Sequence, residues 1–275
     1  MAVAASLLAA GPAGALKVRY VATNNAASPN AVTTVDAQCP DGFKVTGGGA
    51  FSGGAYDETK IQDTFPVDGK DANTKNDDAW RATMWNTSSQ FRNFESQAIC
   101  AKAKTKTVTA ILPNGNGGKR ATCPRGWSAS GGGVNVNEDF TFYYELVESI
   151  PRDGNDAGER AESWFTFILG PGMAATGATT YAVCMRDDEA KIKTRLAFFD
   201  SPQDTQASGT SFCKETQKLV GLGGAATTQQ AALTTIFGAD SPDDANLKLD
   251  DGATVTVDNY GSETVNPEVY AVCAK

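Results

Sequence analysis

Residues 123–133 read CPRGWSASGGG, and residues 39–49 read CPDGFKVTGGG in the same register, 84 positions earlier. Cys, Pro, Gly and a run of three Gly coincide. A third copy starts at Cys213 with CKETQKLVGLGG, where Gly221 and Gly223 keep the first and third glycines of the triplet. Each copy closes on a second cysteine in a related tail: SQAICAK at Cys100, TYAVCMR at Cys184 and VYAVCAK at Cys273. The cysteine separations of 61, 61 and 60 residues mark a threefold repeat, the periodicity that has to be found before any fold is assigned.

The repeat boundaries follow: an apolar N-terminal segment over 1–16, then β repeats over 17–102, 103–186 and 187–275. Six cysteines allow fifteen pairings, and the repeat symmetry selects Cys39 with Cys100, Cys123 with Cys184 and Cys213 with Cys273. Such bridges belong in an oxidising compartment and predict a secreted or cell-surface protein. The segment MAVAASLLAAGPAGA agrees, with the apolar core and small-residue end of a secretory signal, although without a basic n-region. It is too short for a membrane span.

Within each repeat the pattern is that of strands. KVRYVAT at 17–23, KTVTAIL at 106–112 and KTRLAFF at 193–199 alternate with period two. Loops rich in Asn, Ser, Pro and Gly follow, and the Cys-Pro-x-Gly quartet then reads as a tight turn. The glycine triplet lies inside the next strand, where glycine weakens pairing unless another backbone needs the room. Trp80 and Trp164 stand 41 residues after their first cysteines, and Thr254 holds that place in the third copy. AATTQQAALTTIF at 225–237 has helical content but occupies a strand position of the repeat, and strand is the reading adopted. About five strands per repeat and no amphipathic helix result.

The expectation is an all-β, pseudo-threefold, β-prism-like body of three antiparallel sheets, each closed by one disulfide. Three tandem β-sandwich domains are the alternative. An immunoglobulin arrangement does not fit, because its Trp follows the first Cys at a much shorter interval.

The chemistry is bounded by exclusion. The chain contains no histidine, which removes the Ser-His-Asp and Cys-His nucleophile systems and histidine-bearing zinc sites. Bridged cysteines remove thiolate catalysis. Carboxylate pairs such as Asp57 with Glu58 or Glu145 with Glu148 are the remaining route to hydrolysis, but the third repeat lacks counterparts, so no enzyme is expected. A net charge of −8 argues against nucleic acid. Acidic turns follow a proline in every repeat: Asp68 and Asp71; Asp153, Asn155 and Asp156; Asp243, Asp244 and Asn246. Clustered carboxylate and amide oxygens of this kind suit calcium, the one cofactor the residues suggest. Trp80 and Trp164 are candidate sugar-stacking faces, with burial in the core as the other reading. Asn86-Thr87-Ser88 is a glycosylation sequon.

The Cys-Pro-x-Gly turn, the glycines and the closing Tyr-Ala-Val-Cys together resemble the vitelline membrane outer layer proteins. That fold is a β-prism of three sheets with lectin-like relatives. The pattern is also similar to secreted Gly-rich repeat proteins of bacteria. The third copy departs from it, having no Pro or Gly directly after Cys213. Loops at one end of a symmetric scaffold, the aromatic and Asp/Asn content and the lack of a catalytic kit lead to the expectation of a secreted, non-catalytic, carbohydrate-binding protein whose partner is a glycan or a cell-envelope polymer. The alternative is a structural surface, matrix or filament subunit whose partners are copies of itself.

Overall fold

The computed structural model describes residues 16–54, 58–69, 74–75, 77–113, 117–136, 144–153, 161–170, 177–240 and 251–275. Repeat 1 supplies β1 (Val18–Ala27), β2 (Ala31–Gln38), β3 (Lys44–Ser52), β4 (Thr59–Val67), β5 (Ala79–Asn86) and β6 (Arg92–Ala101). Repeat 2 supplies β7 (Thr105–Leu112), β8 (Gly117–Thr122), β9 (Trp127–Asn135), β10 (Glu145–Asp153), β11 (Ala161–Leu169) and β12 (Ala178–Arg186). Repeat 3 supplies β13 (Lys193–Phe198), β14 (Thr205–Phe212), β15 (Lys218–Ala225), β16 (Ala231–Ala239), β17 (Gly252–Asn259) and β18 (Glu268–Ala274). The described residues contain no helix.

Among the described residues each repeat thus has six strands, one more than expected. The extra one is the second (β2, β8, β14), an edge strand whose polar sequence carries little apolar signal in GGKRAT or TQASGTSF. The stretch at 225–237 is strand from Ala231 onward, as the repeat implied.

The strands form three six-stranded antiparallel sheets, and every sheet draws on two repeats. The orders are β1-β6-β3-β16-β17-β14 (the 1–3 sheet), β2-β5-β4-β9-β12-β7 (the 1–2 sheet) and β13-β18-β15-β10-β11-β8 (the 2–3 sheet). A repeat therefore places its first, sixth and third strands in one sheet and its second, fifth and fourth in the next. This excludes three tandem sandwiches, because no repeat owns a complete sheet.

The seams between repeats are short. Ile236 faces Ala50, Thr64 faces Val134, and Glu148 with Ser149 face Ala225 with Gly224. Beyond these rungs the seam strands diverge, and the glycine triplets show why. A Cβ on Gly47 would lie 2.6 Å from Cα of Gly221, one on Gly131 would lie 2.6 Å from Cα of Gly47, and one on Gly221 would lie 1.7 Å from the Ser130 carbonyl oxygen. The first glycines of the three triplets thus meet around a common axis. The third glycines press on the neighbouring repeat: added Cβ atoms on Gly49, Gly133 and Gly223 would meet the carbonyl oxygens of Ile236, Thr64 and Ser149 at 1.9, 1.7 and 2.5 Å. The residue before each triplet, Thr46, Ser130 or Val220, is bulged out of the pairing with the repeat's last strand, which turns the strand at the axis.

The turn ahead of that strand is conserved in form. Phe43, Trp127 and Gln217 donate backbone N–H to the carbonyls of Pro40, Pro124 and Lys214 at 3.0, 3.1 and 2.7 Å. Gly42 and Gly126 take φ of 75° and 79°, whereas Thr216 closes the third turn without a positive φ, so that repeat can dispense with glycine there.

All three disulfides pair as the symmetry required, with Cα–Cα distances of 5.7, 5.8 and 5.7 Å for Cys39–Cys100, Cys123–Cys184 and Cys213–Cys273. The first cysteine follows the repeat's second strand and the other lies in the sixth, so each bridge ties two sheets together across one repeat.

Between the two half-sheets of repeats 1 and 2 sits a tryptophan. Trp80 and Trp164 are fully buried, and added Cβ atoms on Gly48 and Gly132 would fall 2.4 and 2.3 Å from their rings. Register corrects the counterpart in repeat 3. The carbonyls of Asp78, Glu162 and Asp251 accept the N–H of Cys39, Cys123 and Cys213, and two residues on stand Trp80, Trp164 and Ala253. The equivalent residue is Ala253, one place before Thr254, because the third repeat is one residue shorter between its cysteines. Leu222 holds the place of the middle glycine there. The large and small partners are exchanged, and both lie in one buried cluster.

Candidate functional site

The seams place equivalent side chains side by side on each sheet. Relative to the tryptophan position, Asp63, Glu148 and Thr235 coincide, as do Phe65, Ile150 and Phe237; relative to the closing cysteine, Gln97, Tyr181 and Tyr270 coincide. The three seams have accordingly diverged in chemistry.

On the 2–3 seam, Glu268, Ala225, Glu148 and Phe167 form one rung across β18, β15, β10 and β11. Two carboxylates thus flank a strand that offers only a methyl group between them. Tyr270, Ile150 and Ala225 make a small cluster with Phe165, and the Arg152 guanidinium lies over the Phe165 ring at 5.7 Å. The Tyr270 hydroxyl donates to Glu268, and Arg152 reaches Glu148 at 3.4 Å. The Glu148 side chain is 21% exposed and that of Arg152 43%. Burial pushes the Glu148 carboxyl up, the Arg152 charge opposes this, and Glu268 adds to it. Burial and Glu268 push the Tyr270 phenol up as well. The result is a part-desolvated surface of two carboxylates, a phenol, a guanidinium and a phenyl ring.

The 1–2 seam is closed by comparison. Phe65 stacks on Tyr181 with ring centroids 5.2 Å apart, and both are buried. Asp63 is 2% exposed and accepts the Val136 N–H at 2.7 Å. On the 1–3 seam Phe51 meets Phe237 edge-on at 5.4 Å, and burial raises the nearby Glu95 carboxyl. A pocket of about 240 Å³ there is lined by Asn24, Phe51, Asn93, Phe94 and Glu95.

The carboxylate pair Glu145 and Glu148 shares a face of β10, but Glu145 is committed elsewhere. Its carboxylate takes Lys60 at 3.2 Å and the Tyr260 hydroxyl, and the Lys60 ammonium sits 5.5 Å from the centre of the Tyr260 ring. This clasp joins one residue from each repeat.

The tryptophans proposed as sugar platforms are not platforms. Trp80 and Trp164 have no exposed surface, and their indole N–H groups donate to Thr64 and Ser149 inside the fold at 2.7 and 3.0 Å. Their correct reading is as covers over Gly48 and Gly132. The sequon is also closed: Asn86 is 0% exposed and donates to the carbonyls of Ala27, Ser28 and Gln90. Of the acidic turn residues, Asp68 and Asp153 are exposed at strand ends; Asp57, Asp71, Asn155, Asp156, Asp243, Asp244 and Asn246 lie outside the described residues. Among the described residues no group of three or more His, Cys, Asp or Glu is arranged to hold a metal. No described helix is long and apolar enough to cross a membrane.

Sequence reading missed the 2–3 seam. Glu148 and Glu268 are far apart in the chain, and only the cyclic exchange of strands between repeats brings them to one rung. The repeated closing tail, with Tyr181 and Tyr270 three places before their cysteines, was the available signal. No protein-family model matches the chain, and a search of curated proteins finds no match to it either.

Proposed function

We propose that this chain is a secreted, non-catalytic binding protein that recognises a glycan or a cell-envelope polymer through the 2–3 seam. The observation that carries the reading is the rung Glu268–Ala225–Glu148 with Tyr270, Phe165 and Arg152 beside it. Carboxylates fixed by hydrogen bonds next to an aromatic face are the kind of group that orients a polyhydroxylated ligand. Glu148 is already partly stripped of water, so a ligand hydroxyl donating to it costs little further desolvation. The three disulfides support an oxidising compartment. The resemblance to vitelline membrane outer layer proteins points the same way. A glycan array followed by calorimetry tests the reading. Binding should fall at least tenfold in Glu148→Gln and in Glu268→Ala. An array on which no glycan or envelope polymer is retained contradicts it.

A structural, self-assembling role is the second reading. It is favoured by exposed apolar residues on edge strands, Leu196 and Phe198 on β13 at 45% and 62% and Ile111 on β7 at 66%. Exposed edges with apolar side chains invite pairing with another copy. Sedimentation of the chain with and without residues 1–16 tests it; assembly that needs the segment, or that is lost in Phe198→Lys, supports the role.

A further inference from the structure

The 1–2 seam holds a carboxyl group that the binding reading does not use. Asp63 lies on β4 of repeat 1, where strand divergence leaves one rung, Thr64 with Val134, between the two repeats. Its Oδ1 accepts the N–H of Val136, just past the end of β9 in repeat 2. Asp63 is therefore a second, side-chain link across a seam that has very little backbone pairing.

Asp63 is 2% exposed and no ion pair among the described residues satisfies it. The elements packed against β4 account for the charges around it. From β5 comes Arg81, but its guanidinium is held by both oxygens of Asp36 on β2 at 2.7 Å each. From β12 come the phenol of Tyr181, itself pushed up by burial, and at the strand's last position Arg186, taken by Asp188. From β10 come Glu145, taken by Lys60 of β4, and farther along Glu148 with Arg152 and the exposed Asp153. From β3 comes only Lys44, taken by Asp77 and Asp78, while β9 and β16 carry no ionisable side chain. A carboxylate buried without a committed cation is costly, and the group keeps its proton instead.

A path for that proton exists. Asp63 is hydrogen-bonded to Thr83, and the Thr83 hydroxyl lies 3.1 Å from that of Thr34, which is exposed. The chain of hydroxyls runs from a buried acid to water across three strands. In the protonated state Asp63 donates to Thr83 and Thr83 to Thr34, while Oδ1 still receives Val136. On ionisation the proton leaves through the two hydroxyls to solvent, and both turn to donate inward.

We infer that Asp63 is a proton-operated latch on the seam between repeats 1 and 2, closed while the carboxyl is protonated and weakened when opening the seam lets it ionise. Burial first, against the Val136 N–H, Thr83 and Arg81, pushes the closed-state value up to about 7, whereas an opened, hydrated aspartate titrates near 3.8. Between those values the open seam carries the charge and the closed seam the proton. Opening therefore becomes easier by up to tenfold per pH unit from about pH 4 to about pH 7, with no further change above. The other seams carry Glu148, part-exposed and beside Arg152, or Thr235, which cannot ionise. Of these three equivalent positions only Asp63 is a buried carboxyl.

Native-state hydrogen exchange of the intact, disulfide-bonded protein between pH 5 and 9 tests this, read at the amides of Thr64, Val134 and Val136. After correction for intrinsic exchange, protection should fall by up to tenfold per unit from pH 5 to 7 and level off above 7. In Asp63→Asn, whose amide oxygen still accepts Val136, it should stay flat. A carbon-13 titration of the Asp63 carboxyl in the unmodified protein should show it protonated at pH 5 and 6. Equal slopes in the two proteins, or a carboxyl already ionised at pH 5, would overturn the inference.

Discussion

Gly47 and Gly221 belong to different repeats, yet a single methyl group on Gly47 would land 2.6 Å from the Cα of Gly221. Carbon atoms approach no closer than about 3.5 Å without strain, and here both partners are backbone. Neither can move aside by a rotamer change. Gly47→Ala, Gly131→Ala and Gly221→Ala should each cost more than about 3 kcal/mol or prevent folding, beyond ordinary core overpacking. Gly42→Ala meets no atom within 4 Å and suffers only its left-handed φ of 75°, so about 1–2 kcal/mol is expected. Thermal melts of the four variants check the ranking.

The exchange of partners in repeat 3 makes a sharper test of packing. Leu222→Gly alone should lose about 3 kcal/mol or more to a cavity, and Ala253→Trp alone should overpack. The double variant rebuilds the Gly–Trp pairing of the other repeats. It should be more stable than the sum of the two losses by at least about 1 kcal/mol in a double-mutant cycle.

Asn86 and Asn259 perform one task in two repeats. Each donates its amide to three carbonyls, those of Ala27, Ser28 and Gln90 or of Ser201, Pro202 and Glu263. In repeat 2 the place is taken by Gly170, covered by the Tyr144 ring. Replacing either Asn by Ala strands buried carbonyls and should cost about 2 kcal/mol or more. When the chain is secreted from a glycosylating host, mass spectrometry of the folded protein should find Asn86 unmodified.

Each disulfide joins two sheets across one repeat. Replacing Cys213 and Cys273 with Ala should lower stability by about 2–5 kcal/mol, measured by denaturant unfolding. Losses of similar size are expected for the other two pairs, since the loops span 61, 61 and 60 residues.

Much of this fold was legible because the repeat carries its own check. The repeat symmetry of the cysteine spacing selects the three bridges, and the glycine triplet signals close backbone approach. What stayed hidden was the partner of each strand. Nothing local in KVTGGGAFS tells that β3 will pair with β16 of another repeat, since edge composition and alternation are the same for any partner. The second strand escaped because GGKRAT and TQASGTSF lack a buried apolar stripe. Counting from Cys213 sets Thr254 against Trp80, but a one-residue shortening upstream moves the true match to Ala253. For the tryptophans the sequence leaves core and platform open; the core reading is right, and the glycines they cover explain why it must be. Glu148 stands out in the sequence only beside Glu145, and its rung with Glu268 is hidden for the same reason as strand pairing, since the two meet only after the repeats exchange strands.

Calorimetry of the intact chain weighs the central claim, that three copies of one unit interlock into a single body. Strands shared between repeats and backbones touching at the axis predict one cooperative transition whose calorimetric and van't Hoff enthalpies agree. Two or three resolved transitions, each with the enthalpy of a single repeat, would contradict it.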